Sequence, residues 1–86
     1  MEISVKLTLS PLKDDYEPHI IDFIKTLRAS SFEVLENPLS TQIFGTFDLL
    51  MPFLNRAIKH SFQGMDLAVL QMKIVKTNRR YYEPYF

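Results

Sequence analysis

A short segment in the middle of the chain gathers the side chains best suited to contact a ligand. Ser40 and Thr41 offer two adjacent hydroxyls, each able to donate and accept hydrogen bonds, and Phe44 and Gly45 follow in a run of β-forming residues. A glycine inside a strand leaves room for another group to approach the backbone, or marks a bulge. We therefore expect a binding site at this segment.

Residues that commonly carry catalysis or bind metals are few and scattered. The chain has two histidines, His19 and His60, and neither stands at metal-ligand spacing with another candidate ligand. Asp14-Asp15 could bind a cation, but a helix cap with an acidic neighbour is the favoured interpretation. No phosphate-binding glycine loop, nucleophile elbow or zinc motif occurs. We expect neither a metal site nor an enzyme, because no nucleophile–base pair can be assembled.

Size and composition indicate one small domain. The chain has 86 residues, of which 47% are hydrophobic, and a formal net charge of zero, so it is neither a disordered segment nor a general polyanion binder. It has no cysteine, which excludes disulfides and thiol catalysis. Without a membrane-spanning apolar run or a signal-peptide pattern, we expect a cytoplasmic protein with no membrane partner.

The C-terminal tail, residues 77–86, contains the mixed basic and aromatic segment Arg79-Arg80-Tyr81-Tyr82. Such mixtures occur at nucleic-acid contacts, but packing on a neighbouring subunit is the favoured interpretation of these four residues. RNA-recognition domains also need exposed aromatic residues on two central strands. Here only Phe44 is available, so we expect no nucleic-acid partner.

Hydrophobic periodicity predicts six regular elements. Residues 2–10 alternate strictly between apolar and polar side chains, which predicts a half-buried strand. Asp48 and Met51 are alternative N-caps of the second helix. Asp48 is a typical capping residue, whereas Met51 as the cap would place Pro52 at the first helical position, which proline favours. The remaining elements are a helix over Tyr16–Ala29 capped by Asp15, strands over Phe32–Glu36 and Thr41–Phe47, a helix stop at Gln63-Gly64, and a last strand over Met65–Lys76.

This order, β-α-β-β-α-β, is that of an α+β ferredoxin-like sandwich over residues 1–76. Right-handed crossovers give a four-stranded antiparallel sheet in the order 4-1-3-2 with both helices on one face. We call the other face, which the helices leave uncovered, the open face. Phe44, Val69 and Val75 are predicted to lie there, so we expect the open face to be buried in a homo-oligomer.

Two segments resemble the Ykof-like family of small thiamine- and hydroxymethylpyrimidine-binding proteins. They are Ser40-Thr41-Gln42-Ile43-Phe44-Gly45-Thr46-Phe47-Asp48 and the strand–loop Leu9-Ser10-Pro11-Leu12-Lys13-Asp14-Asp15. The spacing of helices and strands agrees over about residues 1–76, and the tail is outside the resemblance. Many members carry a charged residue just before the glycine, where this chain has Phe44.

The resemblance implies a non-enzymatic binder of thiamine or its hydroxymethylpyrimidine moiety, serving transport or salvage and associated as a homodimer or homotetramer. An aminopyrimidine could pair with Ser40 and Thr41, and with Thr8 from the neighbouring strand. Phe44 and Glu36 are candidates to face a thiazolium cation. The alternative is a structural or regulatory homo-oligomerisation module, in which Ser40-Thr41 are turn hydroxyls and Phe44 packs at an interface.

Overall fold

The fold was obtained as a computed structural model that describes residues 1–12, 17–37 and 40–77. Its regular elements are, in chain order, β1 (Glu2–Pro11), α1 (Glu17–Arg28), β2 (Glu33–Asn37), β3 (Ser40–Thr46), α2 (Phe47–Gln63) and β4 (Ala68–Val75). The predicted β-α-β-β-α-β order and α+β ferredoxin-like class are confirmed. Asp14-Asp15 and Arg79-Arg80-Tyr81-Tyr82 lie outside the described residues.

The four strands form one antiparallel sheet in the order β2-β3-β1-β4, as predicted. β1 is paired on both sides, and its alternation divides the side chains between two faces. Ile3, Val5 and Leu7 are at most 2% exposed beneath the helices. They form the core with residues from α1, α2 and β3, namely Phe23, Leu27, Ile43, Leu50, Leu54 and Ala57.

The buried stripe of α1 is narrow. Phe23 and Leu27 are buried in the core, whereas Ile21 is 48% exposed. Pro18 is tolerated because it lies in the first turn, where no intrahelical N–H is required. Asp15, the predicted cap of this helix, lies outside the described residues.

Both predicted caps of α2 are wrong. The helix begins at Phe47 with Thr46 as its N-cap, so Asp48 lies in the first turn and Pro52 inside the helix. The Thr46 hydroxyl makes no cap hydrogen bond and donates instead to Glu2 Oε2 at 3.0 Å. The Phe47 N–H donates to the carbonyl oxygen of Met1 at 2.8 Å, so a remote backbone group satisfies one free helix donor.

The helices pack on β1, β2 and β3 and hardly contact β4. Met72 and Ile74 share the helix-facing side with Leu7 and Val5, their partners on β1. They nevertheless remain 41% and 44% exposed. The described part of the chain contains no helix long and apolar enough to cross a membrane.

Gly45 is covered by a ring of the same chain. A Cβ atom added at Gly45 would lie 2.7 Å from Cδ1 and 2.9 Å from Cε1 of Phe32, closer than real Cβ contacts allow. The Phe32 ring also packs against Phe53, with 5.5 Å between the ring centroids. The space that the glycine opens on this face is therefore occupied by Phe32.

We expect Gly45→Ala to lower the free energy of unfolding by about 1–3 kcal/mol, because a methyl group overpacks the contact with a ring that is already held by Phe53. Urea denaturation measures the change. Gly64→Ala is the matched control, since the nearest atom to its added Cβ, Ser61 O, is at an ordinary 3.7 Å. Equal stability of Gly45→Ala and the parent would contradict the tight packing.

Candidate functional site

Three of the five predicted site residues line one cavity. Thr8, Ser40 and Thr41 border a space of about 210 Å³ at the end of β3 that follows the β2–β3 turn. Its other described lining residues are mostly apolar and come from β1, α1 and β2, namely Leu7, Leu9, Ile20, Phe23, Ile24 and Asn37. We call this space the hydroxyl cavity. It combines an apolar wall with a few polar groups, as small-molecule sites usually do.

The Asn37 side chain fixes the start of β3. Its Oδ1 accepts a hydrogen bond from the Ser40 N–H at 2.9 Å, and the two residues form the last pair of the β2–β3 ladder. Asparagine commonly bonds to nearby backbone in this way at turns. The turn thus places Ser40 and Thr41 at the border of the cavity, with Thr41 on the helix-facing side.

The hydroxyls of Ser40 and Thr41 are nearly removed from solvent without a protein partner. Ser40 is 9% exposed and Thr41 7%. Within the residues that the structure describes, neither hydroxyl makes a hydrogen bond to another protein group. Buried polar groups are normally paired. Thr41 shares the helix-facing side with Leu7, so its hydroxyl marks a place where a ligand or water in the cavity would supply the missing partner.

Glu36 lies opposite Thr41 in the β2–β3 ladder, but its carboxylate is bound elsewhere. Glu36 Oε2 accepts hydrogen bonds from Arg28 Nη2 and, at 3.1 Å, from Arg28 Nε. This hydrogen bonding, followed by the charge of Glu36, raises the pKa of Arg28 above its ordinary value. Glu36 is not among the described residues that line the hydroxyl cavity.

Phe44 lies on the open face, opposite Ser4, and also away from the hydroxyl cavity. Its side chain is only 3% exposed, although it does not belong to the core cluster beneath the helices. The structure therefore does not bring Phe44 or Glu36 together with Thr8, Ser40 and Thr41.

Sequence reasoning missed Asn37 and the apolar wall of the cavity. An asparagine before a proline is typical of a turn, but it does not predict the hydrogen bond from the Ser40 N–H to Asn37 Oδ1. Leu7 and Leu9 follow from the alternation of β1, and Phe23 and Ile24 from the stripe of α1. What the sequence did not provide was the tertiary packing that sets α1 over this end of the sheet.

The two histidines come closer than their sequence separation suggests. His19 and His60 line an open groove of about 710 Å³ between α1 and α2, together with Asp22, Lys25 and Thr26. Among the described residues, however, no group of three histidine, aspartate or glutamate side chains could hold a metal ion. The groove contains none of the predicted site residues.

The fold recurs in solved structures. A protein from Streptococcus pneumoniae has a TM-score of 0.82 and 26% sequence identity over 91% of this chain and 89% of its own. A Thermotoga maritima protein, provisionally named a thiamine biosynthesis/salvage protein, has a TM-score of 0.80 and 19% identity over 90% and 85%. A domain of unknown function from Bacillus cereus has a TM-score of 0.72 and 17% identity over 90% and 77%. No protein-family model and no curated protein sequence matches the chain.

We expect Thr41→Val to raise the free energy of unfolding of the ligand-free protein by about 1 kcal/mol. The substitution keeps the shape of the side chain and removes a buried hydroxyl that lacks a protein partner. Thermal and urea denaturation measure the change.

Thr26→Val is the matched control for this prediction. The Thr26 hydroxyl already donates to Asp22 O at 3.0 Å on the exposed side of α1, so its removal should give no gain. A loss of stability in Thr41→Val would show that the hydroxyl is satisfied in the ligand-free protein.

Proposed function

We propose that this chain is a non-enzymatic binding protein for hydroxymethylpyrimidine, free or as part of thiamine, and acts in the transport or salvage of such compounds. The observation that carries the proposal is that Ser40 and Thr41, two buried residues that border the hydroxyl cavity, have hydroxyls with no hydrogen bond to a protein group in the part of the chain that the structure describes. The proposal includes membership of the Ykof-like family and a cytoplasmic location.

The polar and apolar parts of the cavity suit an aminopyrimidine. Such a ring has N–H donors beside ring-nitrogen acceptors, and a hydroxyl can pair with either. Thr8 borders the cavity from β1, and its pairing with Gln71 places its side chain on the open face. The flat faces of the ring would lie against the aliphatic and aromatic wall formed by Leu7, Phe23 and Ile24.

Cavity size favours the pyrimidine moiety over intact thiamine. The hydroxyl cavity, at about 210 Å³, is below the ~300–1,000 Å³ typical of sites for larger ligands. One substituted ring is therefore a better fit than two linked rings. Neither proposed thiazolium contact lies at the cavity, because Glu36 is paired with Arg28 and Phe44 is on the open face.

The chemistry of the described residues that line the cavity agrees with a protein that binds its ligand without converting it. The polar residues among them are serine, threonine and asparagine, whose side chains hydrogen-bond but do not titrate near neutral pH. General acid–base catalysis uses a group whose pKa lies near the working pH. The provisional name of the Thermotoga maritima neighbour supports a thiamine-related role.

Calorimetric titration with hydroxymethylpyrimidine and with thiamine tests the proposal. We expect the parent protein to bind, and Thr41→Val to bind about 1–3 kcal/mol more weakly, because a ligand group is left without its partner in a desolvated site. Ser40→Ala should also weaken binding.

Glu36→Gln and Thr26→Val are the controls, since the first alters a carboxylate outside the cavity and the second a hydroxyl on another surface. Both should bind like the parent. Absence of binding by the parent would contradict the ligand. Equal affinity of the parent and Thr41→Val would contradict the location of the site.

Homo-oligomerisation is a second candidate function, favoured by apolar side chains on the exposed edge strand. Val69 on the open face, and Met72 and Ile74 on the other face, are each more than 40% exposed on β4. An edge strand also presents unpaired backbone groups to another chain. Of the open-face residues predicted to meet a second copy, Phe44 is already buried at 3% exposure.

Sedimentation velocity at micromolar concentration tests association. We expect a dimer or tetramer, and we expect Val69→Lys to shift it toward the monomer by adding charge to the contact surface. Ile21→Lys, on an exposed position of α1, is the control. A folded monomer of the parent protein at these concentrations would contradict this function.

A further inference from the structure

Two lysines face each other across neighbouring strands of the open face. Lys6 on β1 is the register partner of Lys73 on β4, and both are exposed. Directly opposed residues of an antiparallel pair have Cβ atoms about 4.5–5.5 Å apart, and like charges in such pairs are destabilising. The register thus places two lysines directly opposite each other on neighbouring strands.

The described neighbours of this lysine pair on the open face are uncharged. Its neighbours on the open face carry hydroxyl, amide or apolar side chains, namely Ser4, Thr8, Gln42, Gln71 and Val75. Among the described residues, neither lysine forms an ion pair or a side-chain hydrogen bond. Glu2, on the same face of β1, is four residues away, about 13 Å along an extended strand, and accepts a hydrogen bond from Thr46.

Lys6 and Lys73 both line each of two adjoining surface depressions. One, of about 220 Å³, is lined by Lys6, Thr8, Gln71, Met72 and Lys73. The other, of about 160 Å³, is lined by Ser4, Val5, Lys6, Gln42, Lys73 and Val75. The ammonium groups therefore stand beside surface depressions whose other polar groups are neutral hydrogen-bond donors.

We propose that the open face binds a phosphate group between Lys6 and Lys73. A phosphate carries up to two negative charges, so it can offset both ammonium groups, and its oxygens accept hydrogen bonds in several directions. Lysine binds phosphate as a point charge, and the Thr8 hydroxyl and the Gln71 amide supply further donors. The group would come from inorganic phosphate or from a phosphate monoester, and the proposal does not depend on the ligand of the hydroxyl cavity.

Titration with inorganic phosphate, pyrophosphate and phenyl phosphate at constant ionic strength tests the site. NMR shifts of the backbone amides report binding and its place. We expect saturable shifts centred on residues 4–8 and 71–75, and weaker binding as sodium chloride is raised, since exposed charges are screened by salt. Tighter binding of phenyl phosphate than of inorganic phosphate would identify a monoester as the ligand, and the reverse would identify the free anion.

Charge-removing variants identify the lysines. We expect Lys6→Gln and Lys73→Gln each to weaken binding about tenfold or more, because each removes a charged hydrogen bond. Lys59→Gln, which removes an exposed lysine from α2, should bind like the parent. We expect Lys73→Glu to bind no phosphate, and to have a higher melting temperature than the parent in phosphate-free buffer because repulsion is replaced by attraction.

Three results would overturn the proposal. They are the absence of saturable shifts up to 10 mM of each anion, equal affinity in the parent and Lys6→Gln, and an equal loss of affinity in Lys59→Gln. Repeating the titration at two protein concentrations tests whether one chain suffices. An affinity that rises with protein concentration would place the anion between copies and would also overturn the site described here.

Discussion

The register of β1 against β3 is the constraint on which the rest of the structure depends. Val5 pairs with Ile43, and Leu7 with Thr41, on the side that the helices cover. Because side chains alternate along a strand, a shift of one residue would move every apolar side chain of β1 to the other face. The burial of Ile3, Val5 and Leu7 to 2% exposure or less fixes the register. The hydroxyl cavity and the lysine pair follow from the same pairing.

The hydroxyl cavity lies where an apolar side chain from the sheet could have extended the hydrophobic core. Thr41 lies on the helix-facing side beside Leu7, a position that valine would fill with the same shape. A sequence selected for stability alone would have little reason to bury a hydroxyl there without a partner. Departures from the usual apolar composition of a core are expected at binding sites. Thr41 is such a departure, and it is one of the predicted site residues.

Local patterns were sufficient for much of the fold and less of the site. Alternation in residues 2–10 and the two amphipathic stripes gave the element order and the sheet order, because each pattern is contained in one segment. The start of α2 was missed because its first donor bonds to Met1, and the role of Gly45 because the ring above it belongs to Phe32. Strand pairing alone places Thr41 beside Leu7 and Thr8 beside Gln71, on opposite faces of the sheet. Predicting that Glu36 lies outside the cavity would have required the position of Arg28 in the folded protein, because Arg28 binds the Glu36 carboxylate.

The sparse contact between the helices and β4 bears on how the molecule opens. This strand is held mainly by its ladder with β1, and half-exposed residues such as Met72 and Ile74 add little burial to that attachment. Segments with few buried contacts open at a lower free energy than the whole domain, and their amides exchange hydrogen sooner. Lys6 and Lys73 are like charges opposed in this same ladder, which disfavours the pairing. Detachment of β4, without unfolding of the core beneath α1 and α2, is therefore a fluctuation that this architecture favours.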